Sequence, residues 1–382
     1  MMMPQPQVAV TLSHLVLAQL ATGADWLGTW WPAAALTAVT AVSVVVAVRP
    51  GHRAGRLRRR LAGVVGAAIA LMLASGFAVN AAVGYVPNVS AAWLLLAGHS
   101  TSPRAGSGQI SATAVVTVSA QAGTGQVTAA AILAPPDLRI PASTTWVYTP
   151  PGYDPAGRVR YPVVYLIHGT PGQSSDWFTG GDIAHVMDVL IAAHQVRPMI
   201  IVAPDVNGVG QGDTECLDST RGGSKVETYL SSVVVPWVDA HYATRADWPH
   251  RVIGGMSSGG FCALDQGLRH PELYGSIIAL EPFGDPGSGG RAMLGTKGQF
   301  DAHSPAHYLR TMTFAHPVPT FLDIGGLGGG GQGSHTAPLA AHLRARGQVV
   351  LSRMEPNLPH NWTMARTGIP YGLVFVSDHL PA

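Results

Sequence analysis

A chain of 382 residues has room for one large domain and an appendage, and 47% hydrophobic residues with a mean hydropathy of +0.22 is high for a wholly soluble protein. Before Arg49 the only charged residue is Asp25, whereas Arg49, Arg53, Arg56, Arg58, Arg59 and Arg60 cluster together, and without those six the net charge of +2 becomes −4. That excludes the broad basic surface that nucleic-acid binding requires, and two cysteines, Cys216 and Cys262, are too few for a disulfide scaffold or a cysteine-rich zinc site.

Residues 26–48 and 61–83 carry no charge and are each long enough to cross roughly 30 Å of hydrocarbon as a helix. Trp26, Trp30 and Trp31 mark one interface, Tyr85 and Trp93 the other. The arginine cluster lies between the two segments. Short arginine-rich loops stay on the cytoplasmic side, so the pattern predicts a multi-pass membrane segment with everything after about Tyr85 on the extracytoplasmic face. Residues 8–21 form a shorter apolar stretch interrupted by Ser13 and His14, expected as a third span or an interfacial helix. Residues 85–98 are apolar but too short to cross, and 98–108 are rich in Gly, Ser and Pro. The expected organisation is a membrane segment over 1–98, a linker over 99–110 and an exported domain over 111–382.

In the exported part short apolar runs alternate with helical patterns, which predicts an α/β fold with a mostly parallel sheet flanked by helices. Strands are expected at 127–133, 145–148, 163–167, 199–203, 251–254, 276–280, 320–324 and 349–353. Helices are expected at 182–194, 226–241, 258–270, 337–345 and after Trp362. The glycine- and proline-containing stretch 284–306 is expected to cover a pocket.

The strongest chemical signal is Gly255-Met256-Ser257-Ser258-Gly259, directly after an apolar strand and directly before a helical stretch. In that context a serine sits on a strained turn with its hydroxyl lifted off the sheet edge, and the glycines make room for neighbouring backbone. Ser257 is therefore the expected nucleophile of an α/β-hydrolase fold. His168-Gly169-Thr170-Pro171-Gly172 closes the strand at 163–167, where such folds place one oxyanion-hole amide. The two amides would be those of Thr170 and Ser258. His360, in Pro359-His360-Asn361-Trp362 after the last strand, is the expected general base, with His335 its one rival.

These motifs resemble the esterase D and mycolyltransferase branch of the α/β-hydrolases from about Ser143 onward, and most closely its actinobacterial members with N-terminal membrane spans. The carrying residues are HGTPG, Asp176-Trp177, GMSSGG and PHNW, with Asp213-Thr214-Glu215-Cys216 and the string Glu227 to Leu230. The resemblance implies ester hydrolysis or acyl transfer through an acyl-enzyme, with no metal or organic cofactor. His168, Trp177, Asp213 and Glu215 are expected to bind substrate.

One departure concerns the triad acid. The stretch after the strand at 320–324 holds no carboxylate, and no Asp or Glu lies between Asp323 and Glu355. Asp323 is the nearest candidate, with Glu281 or Asp285 after the preceding strand as alternatives, and an acid-free dyad also remains open. An oxidising exterior would permit a Cys216–Cys262 disulfide. Asp213 and Glu215 together would favour a cationic acyl group, such as an aminoacyl ester of a membrane phospholipid. The reading is a membrane-anchored serine esterase of lipid or cell-envelope esters. Its alternatives are an acyltransferase delivering to a sugar and a weakened hydrolase fold kept as a binding module.

Overall fold

The computed structural model describes residues 9–49, 53–98, 123–327 and 332–382; the expected linker over 99–110 and the boundary in it lie outside them. Eight strands form one sheet: β1 Gln126–Ala131, β2 Thr144–Thr149, β3 Val163–Ile167, β4 Ile200–Ala203, β5 Arg251–Met256, β6 Ser276–Leu280, β7 Thr320–Gly325 and β8 Val350–Glu355. Their spatial order is β1-β2-β4-β3-β5-β6-β7-β8. The β1–β2 and β2–β4 pairs are antiparallel and the rest are parallel. Strands β3 (VVYLI), β4 (IIVA) and β6 (SIIAL) are buried throughout. They read as unbroken apolar runs because a parallel sheet is covered on both faces.

Helices α1 His14–Ala21, α2 Trp31–Val48, α3 Arg53–Val83 and α4 Val89–Gly98 precede the sheet. Those that follow are α5 Asp176–Thr179, α6 Ile183–Ala192, α7 Val226–Tyr229, α8 Val235–His241, α9 Ser258–Arg269, α10 Gly287–Met293, α11 Lys297–Ala302, α12 Pro305–Tyr308, α13 Gln332–Ala345 and α14 Trp362–His379. A π-helical turn, Leu230–Val234, joins α7 to α8. Alternate residues of β3 feed opposite cores: Val163, Tyr165 and Ile167 pack with residues of α7 to α9 and α13, while Val164 and Leu166 pack with α5, α6 and α14. The result is the α/β-hydrolase architecture.

Two N-terminal stretches, Trp31–Val48 and Leu57–Val83, are helices long and apolar enough to cross a membrane. They pack together, and many of their large apolar side chains, among them Val42, Val64, Ile69 and Met72, are exposed. Gly63 allows the approach, since a Cβ there would come within 2.6 Å of the Cβ of Ala47. The stretch 8–21, expected as a third span or an interfacial helix, holds a helix, α1, of eight residues. It rises only about 12 Å. Instead it packs on the sheet domain, with Val16, and Leu12 just ahead of the helix, buried in the core that includes α6. The expected cover over 284–306 is built from α10, α11 and α12.

Candidate active site

Ser257 separates β5 from α9 and adopts φ 61, ψ −123, a backbone that an L-residue holds only when its surroundings force it. The surroundings here are tight. A Cβ on Gly259 would meet the carbonyl oxygen of Ile167 at 2.2 Å, and one on Gly255 would meet that of Gly259 at 2.2 Å. The amide of Ser257 donates to the Leu280 carbonyl at 3.0 Å, and Met256 is in register with Leu280. Ser257 and Glu281 therefore leave neighbouring strands at the same level, and Glu281 also has a positive φ, 52. Non-glycine residues in that region cluster where function demands strain.

Glu281 is buried. One carboxylate oxygen accepts the amide of Gly325 at 2.8 Å, and the other lies 3.4 Å from Nδ1 of His360. His360 sits between β8 and α14 with its side chain 27% exposed. Asp323, the first-choice acid, points elsewhere: Oδ1 accepts the Ile324 amide at 2.9 Å and Oδ2 lies 3.6 Å from Nε of Arg353. Burial and the nearby Glu355 push its carboxyl up to about 7, against the pull of Arg353. What Asp323 gives His360's partner is its backbone, whose carbonyl accepts the Glu281 amide at 2.8 Å. Asp285 turns back on its own loop and accepts the Gly287 amide at 2.9 Å. The side chain of His335 lies outside the described residues.

On the other side of Ser257, a Cβ on Gly169 would lie 3.2 Å from the Cβ of Ser257, so the His168–Thr170 turn packs directly on that serine. Ser258 opens α9, and its amide is among the helix N-terminal amides that have no intrahelical acceptor. The amides of Thr170 and Ser258 thus belong to segments flanking the Ser257 hydroxyl.

Two residues expected to bind substrate are buried, with their polar atoms bonded to backbone. His168 is 1% exposed, with Nε2 accepting the Val206 amide at 3.1 Å and Nδ1 donating to the Gly169 carbonyl at 2.8 Å. Both nitrogens are thus held by backbone groups around the His168–Thr170 turn. Trp177 is fully buried, donates to the Ile167 carbonyl at 2.9 Å and meets Trp362 edge-on at 5.4 Å. Asp213 and Glu215 do reach the site. Glu215 Oε2 accepts the Ser258 hydroxyl at 2.9 Å, and Asp213 Oδ1 accepts those of Thr170 and Ser258 at 3.2 and 3.3 Å. Burial and the adjacent Asp213 push the Glu215 carboxyl up to about 8. Helix α10 closes over the pair, because a Cβ on Gly289 would come within 2.9 Å of both side chains.

Cys216 and Cys262 form a disulfide with a Cα–Cα distance of 5.5 Å, fastening the acidic loop to the helix that begins after Ser257. Glu227, in the string shared with the family, accepts from Arg269 at 2.9 Å and pairs with His270 at 2.7 Å. Although burial opposes it, these hydrogen bonds hold its carboxyl at about 2. Its role is to pin the far end of α9. Sequence reasoning missed Trp362 and Asn361 as supports for His360, although both lie in the motif that marked the histidine.

The Esterase family model matches residues 142–336, just over half of the chain. The chain belongs to this esterase family. An uncharacterized protein of Corynebacterium glutamicum is 33% identical over 150 residues, covering 39% of this chain and 35% of that protein. An esterase of Mycobacterium tuberculosis is 31% identical over 142 residues, covering 37% and 29%. The matched part thus spans about a third of these relatives' length. Among solved structures a ferulic acid esterase superposes with a TM-score of 0.59 at 23% identity, over 68% of this chain and 99% of its own. That likeness is one of fold.

Proposed function

We propose that the chain is a membrane-anchored serine esterase acting on lipid or cell-envelope esters from the extracytoplasmic face, with Ser257 as nucleophile, His360 as general base and Glu281 as the orienting acid. The observation that carries this reading is the pair of strained strand ends: Ser257 at φ 61 beside Glu281 at φ 52, with the Glu281 carboxylate 3.4 Å from His360. In this scheme Nε2 of His360 takes the Ser257 proton as Oγ attacks the ester carbonyl. The Thr170 and Ser258 amides receive the developing oxyanion. Collapse expels the alcohol, which takes the proton back from His360, and leaves an acyl-enzyme that water cleaves through the same steps reversed. Glu281 holds the imidazole in the tautomer that leaves Nε2 free to accept, and it stabilises the imidazolium.

Membrane anchoring rests on the two long apolar helices, and the extracytoplasmic placement on the arginine cluster between them. Holding the pocket at the bilayer raises the effective concentration of a lipid ester. The carboxylate pair Asp213 and Glu215, hydrogen-bonded to Ser258 beside the nucleophile, favours an acyl group bearing a positive charge, such as an aminoacyl ester of a phospholipid.

A fluorophosphonate probe tests the nucleophile. We expect stoichiometric labelling of the detergent-solubilised chain and none after Ser257→Ala; undiminished labelling of that variant would remove the reading. Alanyl-phosphatidylglycerol in micelles tests the acyl group, and release of alanine that persists in Ser257→Ala, or no release at all, rejects it.

A further inference from the structure

We propose that the end of the second apolar helix is a positioning element of the active site, holding the segment that carries His360 rather than only tethering the domain. The inference rests on His360 being the base. Helix α3 ends at Val83, and the backbone from Ala82 to Tyr85 meets the chain immediately after His360 at several points. Asn361 caps α14 with its Oδ1, which accepts the Met364 amide at 3.1 Å, while its Nδ2 donates to the Ala82 carbonyl at 2.8 Å. The guanidinium of Arg366 donates to the carbonyls of Gly84 and Gly180. Gly84 has φ +68, and a Cβ there would fall 2.3 Å from the hydroxyl oxygen of Thr363, so glycine alone permits this approach. The Tyr85 ring meets Trp362 edge-on at 6.3 Å, and its hydroxyl donates to Asp176 at 2.6 Å. Trp362 in turn lies against the fixed, buried Trp177.

A tether needs none of these contacts. Residue 360 lies between the end of β8 and the helix cap, on a segment with no ladder of its own, and its imidazole must stay aligned with Glu281 and Ser257. The span end supplies that alignment from outside the hydrolase fold. Misplacement by about 1 Å costs on the order of a hundredfold in rate.

Asn361→Asp isolates the contact. Aspartate caps a helix as well as asparagine and adds a favourable charge at the helix N-terminus, but it replaces the donor facing the Ala82 carbonyl with a carboxylate oxygen. With the full chain in detergent micelles and the soluble ester p-nitrophenyl acetate, we expect kcat to fall about ten- to hundredfold. KM should stay within about twofold of the parent, since ground-state binding is untouched, and Tm should not fall. Tyr85→Phe keeps the ring against Trp362 and loses only the hydrogen bond to Asp176, and it should lower kcat by about threefold, roughly one modest hydrogen bond's worth. Should Asn361→Asp prove unstable, Tyr85→Phe decides. Unchanged kcat on the soluble ester, with losses confined to membrane-embedded esters, would mean that the span only anchors and would overturn the proposal. Fluorophosphonate labelling of the parent protein separates the two failures. Labelling at Ser257 with unchanged kcat in the variants sinks this inference alone, whereas no labelling sinks the serine-esterase reading beneath it.

Discussion

Two buried glutamates flank Ser257, and both sit at positive φ, yet they face opposite chemistry. Glu281 directly follows β6 and turns one oxygen to the Gly325 amide and the other toward an imidazole that can accept a proton. Glu215 lies in the loop tied by Cys216 to α9, where burial first and the facing carboxylate of Asp213 second push its carboxyl up to about 8. The same residue type thus serves as a candidate triad acid on one side and as half of a proton-sharing pair on the other. Neighbours decide the role, not sequence order.

The largest effect should come from the first glutamate. Glu281→Gln keeps the acceptor for Gly325 but removes the charge opposite His360, and loss of an orienting carboxylate costs about 10³–10⁴ in kcat. Asp323→Asn should stay within about fivefold of the parent, because that carboxyl faces Arg353 and is already held near neutral protonation. Steady-state turnover of one soluble ester by both variants decides between them. If Asp323→Asn proves the more damaging, the acid assignment reverses.

The disulfide is next. Cys216→Ser with Cys262→Ser removes a link across a sequence separation of 46 residues and should cost about 2–4 kcal/mol of stability. Because the link fastens the acidic loop and not the His360 side, urea unfolding should show the loss while fluorophosphonate labelling of the folded variant persists. Lost labelling under folded conditions would show that the two sides of Ser257 are not separable.

Glu215 also writes a pH signature into stability. Its carboxyl titrates at about 8 in the folded chain against an ordinary 4.5, so between these values the folded state holds a proton that the unfolded chain has released. Stability is therefore lost as pH rises through that window. A full proton difference is worth about 1.4 kcal/mol per pH unit, and Asp323, raised to about 7, acts in the same direction. Thermal unfolding between pH 5 and 7 should show Tm falling with pH, and Glu215→Gln should flatten that slope; a slope that the substitution leaves intact would place Glu215 outside the effect.

Much of this was legible beforehand, and the parts that were not share a cause. Strands β3, β4 and β6 announced themselves because parallel strands buried on both faces must be apolar throughout, and the Ser257 turn because its glycines answer to sterics within a few residues. The acid proposed above was legible only as one of three candidates. Choosing Glu281 over Asp323 depends on the register of β6 against β7 and on a positive φ at residue 281, neither of which leaves a local mark. The burial of His168 and Trp177 against backbone partners was not legible either, because a motif reads the same whether its polar atoms face a pocket or the protein's own backbone. The docking of Ala82 and Gly84 onto the chain after His360 spans roughly 280 positions and has no sequence pattern at all.

The smallest expected effect bears most directly on substrate. A betaine ester carries a permanent cation two bonds from its carbonyl, and the 3,3-dimethylbutanoyl ester of the same alcohol is its neutral isostere. Only the protein titrates in this comparison, and the ratio of kcat/KM for the two esters cancels whatever the shared catalytic groups contribute. Asp213 and the partly protonated Glu215 should favour the cation by about tenfold, near 1.4 kcal/mol, at neutral pH. The preference should rise as pH passes about 8 and Glu215 gains its charge. Asp213→Asn should erase most of it, whereas Glu281→Gln should slow both esters alike and leave the ratio unchanged, since that carboxylate faces His360. Equal rates for the two esters in the parent protein would strip the acidic pair of any part in choosing the acyl group, leaving it to brace Ser258 beside Ser257.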